Sequence, residues 1–233
     1  MEIDKEYWKI FLDESQRCQR NWDLSKTIPK EDIDLMINAV KSAPSKQNEK
    51  HFQVSIITDF EQRYQIYHAT HNFAYGEDGV SVPRLPNGEI NYKRQSQLIG
   101  NVLFVFSREK NDLYRSGESH AGGPYVTEDK NVKQAGRCDI STPELKKGLQ
   151  EQYGRHVMIS TGVAAGYLLL TARLLGYKTG GSCGFNREAT ERITKVSHPE
   201  LIIAVGFGDP TRLSLIHISE PTRRTPISYA VFC

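Results

Sequence analysis

The sequence contains no CxxC pair and no Cys/His cluster at metal-ligand spacing. Its four cysteines, Cys18, Cys138, Cys183 and Cys233, are widely scattered. That pattern argues against a zinc module or a disulfide framework and fits a reducing, cytoplasmic setting. A block of like charge is also missing, since 30 basic and 28 acidic residues leave a net charge of +2. With no basic stripe, neither a nucleic-acid partner nor an acidic surface partner is expected. The opening stretch MEIDKEYWKIFLDES is acidic and amphipathic, and it lacks the basic start and apolar core of a signal peptide. Internal repeats and low-complexity tracts are absent. What remains suffices for a folded body: 233 residues, 38% hydrophobic and 25% charged, can bury a full core as one domain or at most two.

The most informative stretch is 156–186, HVMISTGVAAGYLLLTARLLGYKTGGSCGFN. Apolar residues fall on every side of a helical wheel from Val157 to Leu175, which predicts a buried helix. Gly162, Ala165, Gly166 and Ala172 leave room for another backbone, so the helix is expected to pack along its length, with a second subunit as one candidate neighbour. Its length approaches that of a membrane span. Arg173, two glycines and three hydroxyls dilute it, however, and no clustered positive charge flanks it. Gly176 reads as a C-cap glycine. Gly180, Gly181, Ser182, Cys183 and Gly184 read as a loop with little side chain, able to present backbone N–H groups to a flat or anionic ligand.

In chain order, a first helix is expected over 4–15, carrying Tyr7, Trp8, Ile10, Phe11 and Leu12. Arg17 and Arg20 follow, three apart. They are either a pair of guanidinium forks for one phosphate or two solvated surface arginines. A second helix begins near Pro29 and stops before Pro44. Ser45, Lys46 and Asn48 then sit on a polar turn. Phe52, Val54 and Ile56 alternate as a strand, and a helix is expected over 59–71. Its His68 and His71 lack the accompanying ligands a metal site needs. Residues 72–91 and 107–140 read as long connections of the kind that often bind ligands. Val102–Phe106 is a strand apolar on both faces. A helix with Ser141 and Glu144 at capping-box spacing ends near Tyr153. A short helix over 187–196 and a buried strand over 201–206 follow the central helix. Three strands and six helices in mixed order indicate an α+β or α/β fold.

Several segments together resemble the nitroreductase family of FMN-dependent oxidoreductases. They are Arg17-Cys18-Gln19-Arg20, Ala43-Pro44-Ser45-Lys46-Gln47-Asn48, the apolar helix ending Leu174-Leu175-Gly176-Tyr177, Gly184-Phe185-Asn186, and the strand ending Val205-Gly206-Phe207. The resemblance covers 14–210 discontinuously. It implies an α+β fold with a mixed sheet flanked by helices, and a long buried central helix at the interface of an intertwined homodimer, with FMN held between subunits. By position it implies that Arg17, Cys18 and Arg20 lie at the flavin phosphate and ring edge, with Cys18 where the family normally has serine. Pro44, Ser45, Lys46 and Asn48 match a turn that reaches FMN from the partner side. Gly181, Ser182, Cys183 and Gly184 match a backbone segment covering one face of the ring, and Gln97 and Gln95 are candidates for its pyrimidine edge.

The activity so implied is hydride transfer from NADH or NADPH through flavin N5 to a small acceptor such as a nitroaromatic or quinone. The flavin carries the chemistry, with no catalytic side chain required. Lys46 and backbone amides of the glycine segment are candidates for stabilising charge on the ring. Cys183 is either a redox thiol or a small polar filler. Tyr75, Tyr92, Tyr114 and Tyr125 offer stacking surfaces for the acceptor. Three alternatives stay open: an FMN-binding protein without turnover, a dehydrogenase or dehalogenase of the same family, and a membrane-associated helical protein.

The chain departs from the family after its last strand. Residues 213–233 show no period that fits the fold and resemble translated sequencing-adapter read-through. The expected organisation is therefore one FMN-binding domain, 1–212, with a non-native or disordered tail whose Arg223 and Arg224 are not equated with the family's basic phosphate residues.

Overall fold

The structure, a computed structural model, describes residues 4–15, 17–45, 48, 50, 52–70, 72–73, 86, 92–108 and 143–211. Lys46, His71, Tyr75, Tyr114, Tyr125, Ser141, most of the two long connections and the tail from residue 213 lie outside the described residues.

In chain order the elements are α1 (Lys5–Ser15), α2 (Lys30–Ser42), β1 (Phe52–Ile57), α3 (Phe60–His68), β2 (Asn72–Phe73), β3 (Tyr92–Lys93), a 3-10 turn Ser96–Leu98, β4 (Val102–Arg108), α4 (Pro143–Leu174), β5 (Lys178–Ser182), α5 (Arg187–Thr194) and β6 (Pro199–Gly206). β1, β4, β6 and β5 form one sheet in that spatial order, and β2 pairs with β3 as a short ribbon. The fold is α+β. Every pairing among the described strands is antiparallel, where a mixed sheet was expected. The chain leaves β5 at Ser182 and enters β6 from that same end, because Ser182 faces Ile202 while Lys178 faces Gly206.

Three local expectations are corrected. The helices expected over 141–153 and from 157 are one 32-residue helix, α4, so the described residues hold five α-helices where six were expected. Gly154 alone does not break it, since an interior glycine costs only about 1 kcal/mol relative to alanine. Gly180, Gly181 and Ser182 lie on strand β5 rather than in a loop. The central helix is not buried all round: Met158, Ile159, Tyr167 and Leu174 are exposed on one chain, at 70%, 65%, 43% and 57%.

The alternation along β4 explains the layering. Val102, Phe104 and Phe106 point to the side covered by α2 and α4, where they meet Met36, Val40, Ala164, Leu168 and Ala172. Leu103 and Val105 point to the other side, against Ile66 of α3, Leu98 and Phe185. A strand sandwiched in this way must be apolar at every position, and each buried phenylalanine contributes about 1.5–3 kcal/mol.

Caps agree with local chemistry. Asp59 accepts from Gln62 N at 2.9 Å to start α3, and Asn186 accepts from Ala189 N at 2.9 Å to start α5. α2 ends where Ala43, preceding Pro44, turns extended. At the end of α4, Gly176 has φ +87°, and Tyr177 N donates to Ala172 O at 2.9 Å, the wrapped-back bond of a Schellman cap. Tyr177 then donates to the Asp32 carboxylate, tying the end of α4 to α2. Gly154–Leu174 is long and apolar enough to cross a membrane by length and composition. Its Ala164, Ala165, Leu168 and Ala172 are instead spent on the core beneath it.

Candidate functional site

The site is organised by the edge strand β5. Outside it runs the segment that carries the two arginines: Gln19 N donates to Thr179 O at 2.8 Å. The same segment continues along the exit of β6, where Asp23 N donates to Phe207 O at 2.9 Å and Asp209 N to Asn21 O at 3.0 Å. Trp22 is buried, and its Nε1 donates to Ser96 O at 2.9 Å. Asn101 pins the arrangement from beneath. Its Nδ2 donates to Asp23 O at 2.9 Å and Lys26 O at 2.7 Å, and its Oδ1 accepts from Phe207 N at 3.1 Å.

The 3-10 turn approaches β5 from the remaining side. A Cβ on Gly180 would lie 2.9 Å from Gln97 O and 3.0 Å from Gln19 O, so two backbones converge there and only glycine fits. Gln97 Nε2 donates to Gly181 O at 3.1 Å and to Gln95 Oε1 at 3.0 Å, and Gln95 Nε2 donates to Gly184 O at 3.0 Å. Gln95 N is itself held by Thr70 Oγ1 at 2.9 Å. Arg94 donates to the carbonyls of His68 and Thr70, and Asn186 N donates to Ala69 O at 2.8 Å, so the end of α3 braces both Gln95 and the chain beyond Gly184.

The fold thus joins Gln95, Gln97, Gly181, Ser182 and Gly184 by hydrogen bonds, with Cys183 between them in the chain, and carries Arg17, Cys18 and Arg20 on the segment that Gln19 holds against Thr179 of β5. Arg17 is exposed and Arg20 half-buried, and among the described residues neither has a carboxylate or hydrogen-bond partner. Gly181 is exposed, and a Cβ there would meet only Ile203 Cγ1 at 3.7 Å and Ile202 O at 3.8 Å. Nothing among the described residues therefore requires glycine at 181. Gly184 N donates to Ser182 Oγ at 2.9 Å, so that amide is already engaged. Cys183 is an exposed free thiol. Partial desolvation first, then the Glu200 carboxylate, raise its pKa against the opposing pull of Arg187. Those influences keep it a thiol rather than a thiolate near neutral pH, which favours the polar-filler reading over a redox nucleophile. Glu200 is held by Arg108 and, at 2.9 Å, by Arg187.

Pro44, Ser45 and Asn48 are elsewhere. Ser45 Oγ accepts from Lys50 N at 2.9 Å, Asn48 N donates to Ser45 O at 3.1 Å, and Asn48 has φ +58°. This turn feeds β1, the edge of the sheet opposite β5. Three strand spacings of about 4.8 Å separate those edges by roughly 14 Å. One chain does not join the turn to the β5 cluster.

Asn101, Thr70 and Trp22 shape the site yet carry no signal in the sequence. Each acts through a partner far along the chain, at separations of 78, 25 and 74 residues.

No sequence-family profile matches the chain, and no curated protein matches it in sequence. Solved structures do match in fold. A nitroreductase-like protein from Streptococcus mutans superposes with a TM-score of 0.60 at 18% identity, covering 93% of this chain and 98% of the other. A protein assigned as a nitroreductase and solved in complex with FMN, from Exiguobacterium sibiricum, gives 0.55 at 16% identity, covering 91% and 95%. A protein assigned as an NAD(P)H:FMN oxidoreductase, from Staphylococcus epidermidis, gives 0.56 at 21% identity, covering 94% and 97%. The chain therefore has the fold of nitroreductase-family structures.

Proposed function

We propose that this protein is an FMN-dependent oxidoreductase that takes a hydride from NADH or NADPH and delivers it to a small organic acceptor such as a nitroaromatic or quinone, acting as a cytoplasmic homodimer. The observation that carries the reading is Gly181, whose missing side chain serves no neighbour among the described residues and so leaves the face of β5 open to a ligand. The fold shared with an FMN complex supplies the matching ligand class.

The residues present fit that cofactor. Arg17 and Arg20, unpaired among the described residues, suit a phosphate. Gln97 suits the polar edge of the ring, and the backbone of Gly181–Gly184 suits its flat face. When bound, the flavin supplies the atom that accepts and releases hydride. The protein contributes position and charge, with Lys46 proposed to stabilise negative charge on the ring.

The opposite-edge turn explains why a second copy is part of the reading. α4 exposes Ile159, Gly162, Gly166 and Tyr167, and among the described residues a Cβ on Gly162 or Gly166 would meet nothing within 4 Å. α1, which touches α4, exposes Tyr7, Ile10 and Leu12. A second chain packed on this surface would cover apolar area that water otherwise meets. It would also bring its own Ser45–Asn48 turn to the β5 cluster.

The test is the absorption spectrum of the purified protein, followed by anaerobic addition of NADH or NADPH. Flavin bands that bleach on addition are the expected result. Flavin bands that persist would support a binding protein without turnover, and a protein that neither carries nor takes up flavin would overturn the proposal.

A further inference from the structure

Two side-chain amides stand at the centre of the β5 cluster, and backbone carbonyls dictate how each is turned. A carbonyl oxygen only accepts. The end of Gln95 that meets Gly184 O at 3.0 Å must therefore be its NH2 group, which leaves Oε1 facing Gln97. By the same logic the end of Gln97 that meets Gly181 O at 3.1 Å is its NH2 group. An amide nitrogen has two hydrogens, and Gln97 uses one on Gly181 O and the other on Gln95 Oε1. Turning the Gln97 amide over would set its oxygen against two acceptors. Its Oε1 is left outward, with no donor reaching it among the described residues.

We propose that Gln95 is a positioning residue that locks Gln97 as an obligate hydrogen-bond acceptor, and that this pair selects a ring bearing an N–H on the edge it presents. The proposal rests on the flavin reading above. The oxidised isoalloxazine has a single ring N–H, at N3 between its two carbonyls, so N3–H is the one ring group able to donate to a fixed acceptor. Gln95 acts through Gln97 and not on the ring itself. A flavin that lacks that hydrogen would leave Gln97 Oε1 desolvated and unpaired, which is where discrimination arises.

The test titrates the flavin-stripped full chain with FMN and with 3-methyl-FMN, reading flavin fluorescence. The native chain is expected to bind FMN about tenfold more tightly than the methylated form. Gln97→Ala removes the acceptor and leaves space for the methyl group, so the ratio should fall to about one. Gln95→Met leaves Gln97 in place but free to turn, so the ratio should fall below about threefold. A purely structural role for Gln95 would weaken both flavins alike and leave the ratio intact, and that result overturns the positioning assignment. Normal FMN binding with equal affinity for both flavins in the native chain, or with the ratio kept in Gln97→Ala, overturns the inference while the flavin reading stands. Binding of neither flavin overturns both. Should Gln95→Met fail to fold, the native and Gln97→Ala ratios still decide whether the acceptor exists.

Discussion

Asn101 fills the space that a side chain at residue 206 would need. A Cβ on Gly206 would collide with Asn101 Oδ1 and come within 2.9 Å of Asn101 Cγ and backbone N. In return the Asn101 side chain ties the N-terminal segment to the end of β6 through three backbone groups. Gly206→Ala is expected to cost roughly 3 kcal/mol, the upper end of the ordinary range for overpacking. Asn101→Ala should cost about 1–3 kcal/mol by leaving buried polar groups unpaired. The double variant should be less destabilised than the sum, because the alanine at 101 makes room for the one at 206. Urea unfolding of the four proteins measures this, and strict additivity would contradict the stated relationship.

Gly180 and Gly181 are neighbours with opposite expectations. Gly180→Ala should destabilise the flavin-free protein, because two backbones already crowd that position. Gly181→Ala should leave its melting within about 0.5 kcal/mol of the parent and yet weaken FMN binding roughly tenfold, a difference of about 1.4 kcal/mol. Equal loss of fold stability in both variants would remove the argument that residue 181 faces a ligand.

Arg17 and Arg20 can be separated from the rest of the site by the ligand used. If they hold the phosphate, either alanine variant lowers affinity for FMN by about tenfold or more, as expected for charge-assisted hydrogen bonds. Affinity for riboflavin, which has no phosphate, should not change. A parallel loss for both flavins would assign the arginines to the fold instead.

Tyr177 gives a pH dependence with a definite sign. Burial, then its hydrogen bond to Asp32, raise the phenol pKa above its ordinary 10.0. The folded protein therefore holds this proton more tightly than the unfolded chain does. That contribution is fully present below the unfolded value and is lost as pH climbs through the folded one. Tyr177→Phe should be less stable than the parent by about 0.5–1.5 kcal/mol near neutrality, with the gap closing above about pH 10. Urea midpoints from pH 8 to 11 decide it, and a gap constant over that range would count against the linkage.

For the exposed face of α4, the direction of the effect discriminates. In a lone chain, Gly162→Ala and Gly166→Ala should stabilise, since each relieves about 0.5–1 kcal/mol of glycine's cost in a helix and neither Cβ would touch a described residue. If a second copy packs closely there, the double variant should lower both the melting temperature and the dimer fraction by light scattering. A raised melting temperature with unchanged mass would mean that no backbone approaches this face.

Much of this was legible residue by residue. The start of α2 near Pro29, its end before Pro44, the strand Val102–Phe106 and the cap at Gly176 follow from contiguous residues whose chemistry is local. β5 was not legible as a strand, because Lys178–Ser182 has almost no side chain to show a period. What makes it a strand is its pairing with β6 and the backbone pressed against Gly180. Likewise, α4 reads as buried on all sides from composition, since composition does not say how many neighbours one chain can provide.

By itself, then, the sequence determined the bounds of α2, the inner strand Val102–Phe106 and the cap at Gly176, because periodicity and caps act over a few positions. Tertiary structure alone decided which residues meet. Gln97 reaches Gly181 across 84 residues and Gln95 reaches Gly184 across 89, while the Ser45–Asn48 turn is carried to the other edge of the sheet. The physical reason is that strand order and the turning of an amide are set by packing and hydrogen-bond partners, and those exist only once distant segments have been brought side by side.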